Sequence, residues 1–261
     1  SGAGHEAVLV AASKVFRAGY DWFYTYYRDR ALCLGLGMTA TEQLLSAVAA
    51  ADDPNSGGRQ MPSHWGHKDL NIVSSSSPTG TQFLQAVGCA EAWLRVSRND
   101  RIDDKDTLIK GDEVVFCSTG DGTTSQGEFW EALNTATNLK LPVVFVLEHN
   151  QFGLTVPSDV QSPVADLSIR AAGYAMPAEI VDGNDAVAVY RAVSTMTERA
   201  RRGEGPGMVE CKTYRIEGFS TSDMGGYQKP EDIAAWKARD PLLVSRKALL
   251  GDVGETKLAD I

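Results

Sequence analysis

The chain has no excess of basic residues. Its 25 Lys and Arg stand against 34 Asp and Glu, a formal charge of −9, so nothing draws it to a phosphate backbone and nucleic acid is not an expected partner. Long apolar runs are missing as well. The longest fall well short of the ~18 residues a membrane helix needs, and no membrane role is expected. No basic-then-apolar leader opens the sequence. Cysteine is scarce: Cys33, Cys89, Cys117 and Cys211 lie far apart, with no C-x-x-C pair and no framework spacing. Each sits among apolar neighbours, which predicts buried free thiols in a reducing compartment. There is no repeat, and the only biased segment is the serine run Ser74–Ser77. What is present is an ordinary globular balance, 43% apolar and 23% charged over 261 residues. That allows one large domain or two small ones and excludes a disordered or collagen-like chain.

Periodicity organises the chain. Apolar residues at helical spacing (Val8, Leu9, Ala12, Val15, Phe16) predict a helix over 6–17, after which comes an aromatic cluster from Tyr20 to Tyr27. A second helix is predicted over 41–51 with Thr39 or Thr41 as its cap, then a loop over Asp52–Gly58, then a helix over 81–96. From there strands and helices alternate. Strands are expected at 114–117, 143–147, 179–181 and 208–214, and helices at 126–139 and 186–202. Short apolar strands separated by helices predict an α/β fold, a parallel sheet with helices on both faces. Such sheets place ligands beyond the carboxyl ends of their strands.

Two of those ends carry chemistry. Gly120-Asp121-Gly122 follows one strand and Asn150 the next, with 26 residues between Gly122 and His149. That length suits one crossover helix, so the two ends meet in space. An anionic oxygen from Asp121 and a neutral carbonyl oxygen from Asn150 suit an octahedral magnesium ion completed by phosphate oxygens. Gly120 and Gly122 admit close backbone approach, and a helix starting near Ser125 turns its positive end to the same place.

The spacing resembles the diphosphate-binding motif of thiamine diphosphate enzymes. Arg59-Gln60-Met61-Pro62-Ser63-His64-Trp65-Gly66, Ser76-Ser77-Pro78-Thr79-Gly80-Thr81-Gln82, Gln85-Ala86-Val87-Gly88 and Thr213-Tyr214-Arg215 with Ser220-Thr221-Ser222-Asp223 resemble the alpha subunit of branched-chain 2-oxo acid dehydrogenases. The likeness runs in order from Gly4-His5-Glu6-Ala7 to Asp240-Pro241. It implies a thiamine diphosphate-binding fold and a single diphosphate-binding domain over 1–261, without the family's N- and C-terminal extensions. It also implies oxidative decarboxylation of a 2-oxo acid, with acyl transfer to a lipoyl group. Tyr27 and Arg28 would hold the diphosphate, with Gly120, Gly122 and Thr123 beside it. Asp121, Asn150 and the carbonyl of Phe152 would bind magnesium. Ser77 and Thr79 would touch the cofactor mainly through backbone, and Ser76, Pro78, Thr81 and Gln82 would hold a monovalent cation such as potassium. His64 would lie near the reacting centre and donate a hydrogen bond or proton, and Ser220 is the second catalytic candidate. The glutamate that activates the cofactor would come from a beta subunit, separate or fused, in a two-alpha, two-beta assembly. A lipoylated acyltransferase would accept the product. The implied location is the cytoplasm, or the mitochondrial matrix after loss of a transit peptide.

Plainer readings stand beside these. His64 also reads as an exposed loop histidine, Arg28-Asp29-Arg30 as a solvated charge run, Tyr27 as core and Ser74–Ser77 as linker. A pyruvate or acetoin dehydrogenase alpha chain, or a non-catalytic relative that binds the cofactor, are the alternative functions. The departures from the family pattern are His149 for an asparagine, Phe152 for a tyrosine, Phe219 for a histidine and Gln228 for an arginine, with Met224 inside an acidic pair. The segment Glu217–Lys229, rich in glycine and small polar residues, is expected to be mobile until cofactor and partner bind.

Overall fold

The β-branched and aromatic runs line up side by side. In the computed structural model, which describes residues 2–102 and 109–259, the strands are β1 (Trp22–Tyr24), β2 (Val115–Gly120), β3 (Val143–His149), β4 (Phe152–Gly153), β5 (Val156–Pro157), β6 (Ala178–Asp182) and β7 (Gly207–Lys212). Five of them form one sheet in the order β1-β2-β3-β7-β6, and every pairing in it is parallel. β4 and β5 make a small antiparallel hairpin. The helices are α1 (Glu6–Ser13), α2 (Arg30–Leu36), α3 (Ala40–Ala47), α4 (Thr81–Ser97), α5 (Gly127–Leu139), α6 (Ser158–Gln161), α7 (Ala186–Arg201), α8 (Pro230–Ala238) and α9 (Pro241–Ala259).

Alternation along the central strands divides the core in two. Val114, Phe116, Val144, Val146, Val209 and Cys211 face a cluster with α1, α2 and α7. Val115, Cys117, Val143, Phe145 and Met208 face the opposite cluster, filled by Phe83 of α4 and by Phe129 and Leu133 of α5. Both faces are thus covered, as the near-continuous apolar strands require. Truncating a fully buried ring such as Phe116 would cost about 3–5 kcal/mol. Among the described residues no helix is long and apolar enough to cross a membrane.

Several boundaries differ from the expected ones. The first helix stops at Ser13, because the chain turns there through short-range bonds (Lys14 N to Ala11 O, Val15 N to Ala12 O) and Arg17 N donates to Asp21 Oδ2 at 2.7 Å. The second runs from Ala40, capped reciprocally by Thr39 and Glu42, and ends before Ala49, which takes a left-handed conformation. β2 and β3 run on through Ser118, Thr119, Glu148 and His149, polar residues that stay buried in the ladder. β7 ends at Lys212, two residues early, and β1 lies unforeseen inside the aromatic cluster. All four cysteines are free, with Cys89 half-buried and the other three buried.

Parallel strands bring their carboxyl ends to one edge. β1 leads into Thr25–Arg28, β2 into Asp121, β3 into Asn150 and β7 into Thr213–Arg215. These polar turns meet above the sheet and form the floor of the site.

Candidate functional site

Asp121 and Asn150 meet as the strand spacing requires. The Asn150 backbone N–H donates to Asp121 Oδ1 at 3.2 Å. The amide end of Asn150 that faces this point lies 3.2 Å from Asp121 Oδ1 and 3.2 Å from the Phe152 carbonyl oxygen, while its other end lies 3.1 Å from His5 Nε2. With nitrogen toward Asp121, the amide donates to both oxygens. With oxygen there, three oxygens crowd together and only a cation reconciles them. Asp121 is 1% exposed, and its Oδ2 has no partner. Burial pushes its carboxyl above the ordinary range. Among the described residues no three His, Cys, Asp or Glu side chains cluster as metal ligands. A metal here would therefore rest on one carboxylate, one amide and one backbone carbonyl, a hard oxygen set suited to magnesium.

The turn after β2 is shaped by close approach. A Cβ on Gly122 would lie 2.7 Å from the Gly153 Cα, so glycine is needed for the β4–β5 hairpin to seat on this turn. Gln161 fastens the two together. Its Nε2 donates to the Gly122 carbonyl oxygen at 2.8 Å and to Ser125 Oγ at 2.9 Å. α5 begins at Gly127, after a 3₁₀ turn over Asp121–Ser125, slightly later than expected. Gly120 is equally constrained, since a Cβ there would meet the Tyr26 hydroxyl at 2.9 Å.

Beside this turn lies a cavity of about 660 Å³ lined by Tyr27, Ser77, Thr79, Gly122, Thr123, Arg215 and Phe219, among others. A smaller one of about 160 Å³ shares Tyr26, Tyr27, Met61, Ser77 and Thr79 with it and reaches Ser76, Gln82 and His64. A third, of about 280 Å³, opens elsewhere, between Trp93, Lys140 and Arg201, and holds none of the expected residues.

Arg28 and Asp29 are not a solvated charge run. Arg28 is 2% and Asp29 0% exposed. The Arg28 guanidinium donates to the Tyr27 hydroxyl at 2.7 Å. Asp29 accepts from the Tyr26 backbone N–H at 2.9 Å and from the Ser118 hydroxyl. Beneath them lies the fully buried Glu148. Burial raises Asp29 to about 6 and lifts Glu148 well above the carboxylate range, where the neighbouring Asp29 charge holds it further up. Glu148 is thus the acid that keeps its proton. His5, also fully buried, is lowered to about 3 by burial and by Arg28, so it is neutral.

The remaining expected residues divide. His64 Nε2 lies 2.6 Å from Ser77 Oγ, and the ring is half-buried at the smaller cavity. Thr81 Oγ1 donates to the Pro78 carbonyl oxygen at 3.0 Å. The Gln82 amide is used at both ends, by the Gly80 N–H at 3.0 Å and the Ser118 carbonyl oxygen at 3.1 Å. Ser220 does not line either cavity. It is exposed and bonded to Ser222 Oγ at 3.0 Å, because Asp223 Oδ2 takes the Phe219 N–H at 2.8 Å and turns the Phe219 ring inward instead. Four residues were not singled out from sequence: His5, Glu148, Gln161 and Arg215. For His5 and Arg215 the only signal was their place in quoted motifs. In the structure Arg215 is 1% exposed, with its guanidinium 5.4–5.9 Å from the rings of Phe152, Tyr227 and Phe219.

The chain matches the family model for the dehydrogenase E1 component over residues 1–255. It is similar to the 2-oxoisovalerate dehydrogenase subunit alpha of Bacillus subtilis, with 41% identity across 98% of this chain and 76% of the relative. It is 32% identical to the 3-methyl-2-oxobutanoate dehydrogenase subunit alpha of Mycobacterium tuberculosis, across 92% of this chain and 59% of that one. It is 31% identical to the pyruvate dehydrogenase E1 component subunit alpha of Staphylococcus aureus, across 95% and 61%. The chain therefore spans about three fifths to three quarters of these relatives' lengths. An X-ray structure of an enzyme assigned as thiamin diphosphate-dependent, isolated from Mycobacterium smegmatis, superposes with a TM-score of 0.50 at 18% identity. That match covers 82% of this chain and 32% of the other, and it supports the fold. With the family match running nearly end to end and a relative 41% identical over 98% of this chain, the chain belongs to the dehydrogenase E1 component family.

Proposed function

We propose that the chain is the alpha subunit of a thiamine diphosphate-dependent dehydrogenase acting on branched-chain 2-oxo acids. The observation that carries this reading is the convergence of the Asp121 carboxylate and the Phe152 carbonyl on the Asn150 amide, each 3.2 Å from it, beside a cavity of about 660 Å³. Magnesium at that point would tie a diphosphate to the strand ends. Arg28 and Tyr27 would add a guanidinium and a hydroxyl toward its oxygens. Gly120, Gly122 and Thr123 would let it approach the backbone, and Ser77 and Thr79 would line its far end. Bound thiamine diphosphate would supply the electron sink for loss of carbon dioxide. This chain's own share is to bind it, orient it and shield it, with His64 at the wall. The loop of Ser76, Pro78, Thr81 and Gln82 would take a potassium ion, and residues 1–261 would act as one diphosphate-binding domain.

A beta partner, separate or fused, would complete the site in a two-alpha, two-beta assembly, and a lipoylated acyltransferase would receive the acyl group. Four free thiols favour a reducing compartment, the cytoplasm or the mitochondrial matrix. The higher identity to the relative named for 2-oxoisovalerate than to the one named for pyruvate favours branched-chain substrates. The test is turnover of a 2-oxo acid panel by the chain reconstituted with its beta partner. Branched-chain acids should be preferred at least about tenfold over pyruvate, and the chain alone should be inactive. Preference for pyruvate would reassign the substrate, and turnover by the isolated chain would refute the shared site.

A further inference from the structure

The ring of His64 is held at both nitrogens. Nδ1 lies 3.0 Å from the carbonyl oxygen of Met61 and 3.4 Å from that of Pro62. A carbonyl oxygen has no proton to give, so in the neutral ring Nδ1 carries the hydrogen. Nε2 is left with its lone pair, and Ser77 Oγ stands 2.6 Å from it. One arrangement satisfies all these contacts: the Ser77 hydroxyl donates to Nε2. Position adds to this. Ser77 lines both the large and the small cavity, whereas His64 borders only the small one. The hydroxyl therefore stands between the ring and the larger space, with lone pairs free to accept from a donor arriving there.

We propose that Ser77 is a positioning residue for His64. Its hydroxyl, together with the Met61 carbonyl, fixes the Nδ1–H tautomer, so the histidine meets the cavity as an acceptor acting through Ser77. This reverses the donor role that the sequence suggested. The reason is local: the Met61-Pro62-Ser63-His64 turn folds the ring back onto its own carbonyls and uses up the nitrogen that bears the proton. It also gives the Ser77 side chain a task separate from the backbone contacts proposed for that residue. The inference rests on the reading of the large cavity as the place where cofactor and 2-oxo acid bind, but the tautomer itself can be measured without turnover.

The experiment is ¹⁵N spectroscopy of the full chain labelled at histidine, at about pH 8, where an ordinary imidazole is neutral. The His64 signals are assigned by their loss in His64→Asn. In the wild type, Nδ1 should be the protonated nitrogen and Nε2 the hydrogen-bonded acceptor. In Ser77→Ala the Nε2 resonance should shift as its bond is lost, and Ser77→Thr, which keeps a hydroxyl, should restore it. In the alpha–beta holoenzyme, Ser77→Ala should lower kcat about tenfold while KM and the affinity for magnesium and thiamine diphosphate stay within about twofold, with Ser77→Thr recovering most of the rate. A protonated Nε2 in the wild type, or His64 signals indifferent to Ser77→Ala, overturns the proposal. Absence of turnover in the wild-type holoenzyme would count against the proposed function instead, and the nitrogen spectra would still decide the tautomer.

Discussion

The two walls of the large cavity are built in different ways. On the sheet side, the lining residues Tyr27, Gly122 and Phe152 stand one or two positions from Arg28, Asp121 and Asn150, which each follow a strand within four residues and are 1–2% exposed. Their positions are fixed by the ladder and by partners such as the Tyr27 hydroxyl for Arg28 and the buried His5 for Asn150. On the outer side, the Glu217–Lys229 segment depends on one carboxylate. Asp223 accepts from the Phe219 and Gly225 N–H groups and from the Tyr227 hydroxyl, at 2.5–2.9 Å, and Gln228 pins the end of the segment to the Arg215 carbonyl at 2.6 Å. The difference separates two tasks. Groups held by strand ends lose little freedom when a charged ligand arrives, which favours affinity. A loop held by a few bonds in water opens at small cost, which suits a wall that substrates must pass.

Breaking the sheet side should have the largest effect. Asp121→Ala removes the only carboxylate from the three-oxygen cluster, and magnesium-dependent binding of thiamine diphosphate should weaken at least about 100-fold, roughly 2.7 kcal/mol. Titration calorimetry measures it, and undiminished affinity would refute the metal assignment. Gly122→Ala should come next. Its methyl group would meet the Gly153 Cα at 2.7 Å and lift the β4–β5 hairpin from the turn. Affinity should fall about tenfold with the fold retained, because the hairpin is peripheral to both cores.

The outer side should respond on another axis. Asp223→Ala removes the acceptor of three bonds, so proteolysis between Glu217 and Lys229 should become severalfold faster, while cofactor affinity in the isolated chain changes less than about twofold. Added magnesium and thiamine diphosphate should slow cleavage in the wild type. An affinity loss as large as that of Asp121→Ala would show that the two walls are one cooperative unit and end the comparison.

A third test sharpens it by pH. Burial acts to raise Glu210, but bonds from His149, Lys212 and the Ser168 N–H outweigh it and hold the carboxyl at about 2, against an ordinary 4.5. A depressed carboxyl adds stability that is whole above 4.5 and lost as pH falls toward 2, where the unfolded chain takes up the proton first. Glu210→Gln should therefore be less stable than wild type near neutrality, and the gap should close across that window in urea unfolding. An equal gap at both ends would exclude the linkage. At each pH the outer segment of Glu210→Gln should be cleaved at the wild-type rate.

What could be read in advance follows from range. The central strands were legible because apolar β-branched runs have few other uses, and their last residues were not, because Ser118, Thr119, Glu148 and His149 look like loop until their buried partners are known. Asp121 and Asn150 were legible because one crossover helix fixes adjacent strand ends. His5 was not, since it reaches Asn150 across 145 residues with no local spacing to mark it. Gln161 likewise acts only through tertiary proximity, 39 residues from the carbonyl it holds. The solvated reading holds for Arg30, which is exposed, and failed for Arg28 and Asp29 for the same reason: Ser118, 89 residues away, provides the partner that lets Asp29 be buried.

The smallest effect is expected at Phe219, where the two walls touch. Its ring faces the cavity and lies 5.9 Å from the Arg215 guanidinium of the sheet side. A histidine here, which the resemblance implies, would place a hydrogen-bond donor at the wall where the lipoyl group is proposed to enter, a gain of roughly 1.5–3 kcal/mol for one charge-assisted bond if nothing opposed it. Two terms oppose it. The cation–π contact, worth about 0.5–1 kcal/mol at a partly exposed site, weakens, and a protonated imidazole would face the buried Arg215 charge. The balance leaves Phe219→His only a few-fold faster in lipoyl-dependent turnover. The rate with an artificial acceptor, which bypasses that wall, should stay within about twofold. Equal rates in both assays would mean that the backbone of this loop, not its side chain, makes the contact. A fall in the lipoyl-dependent rate alone would mean that the Arg215–Phe219 contact is what keeps the outer wall in place.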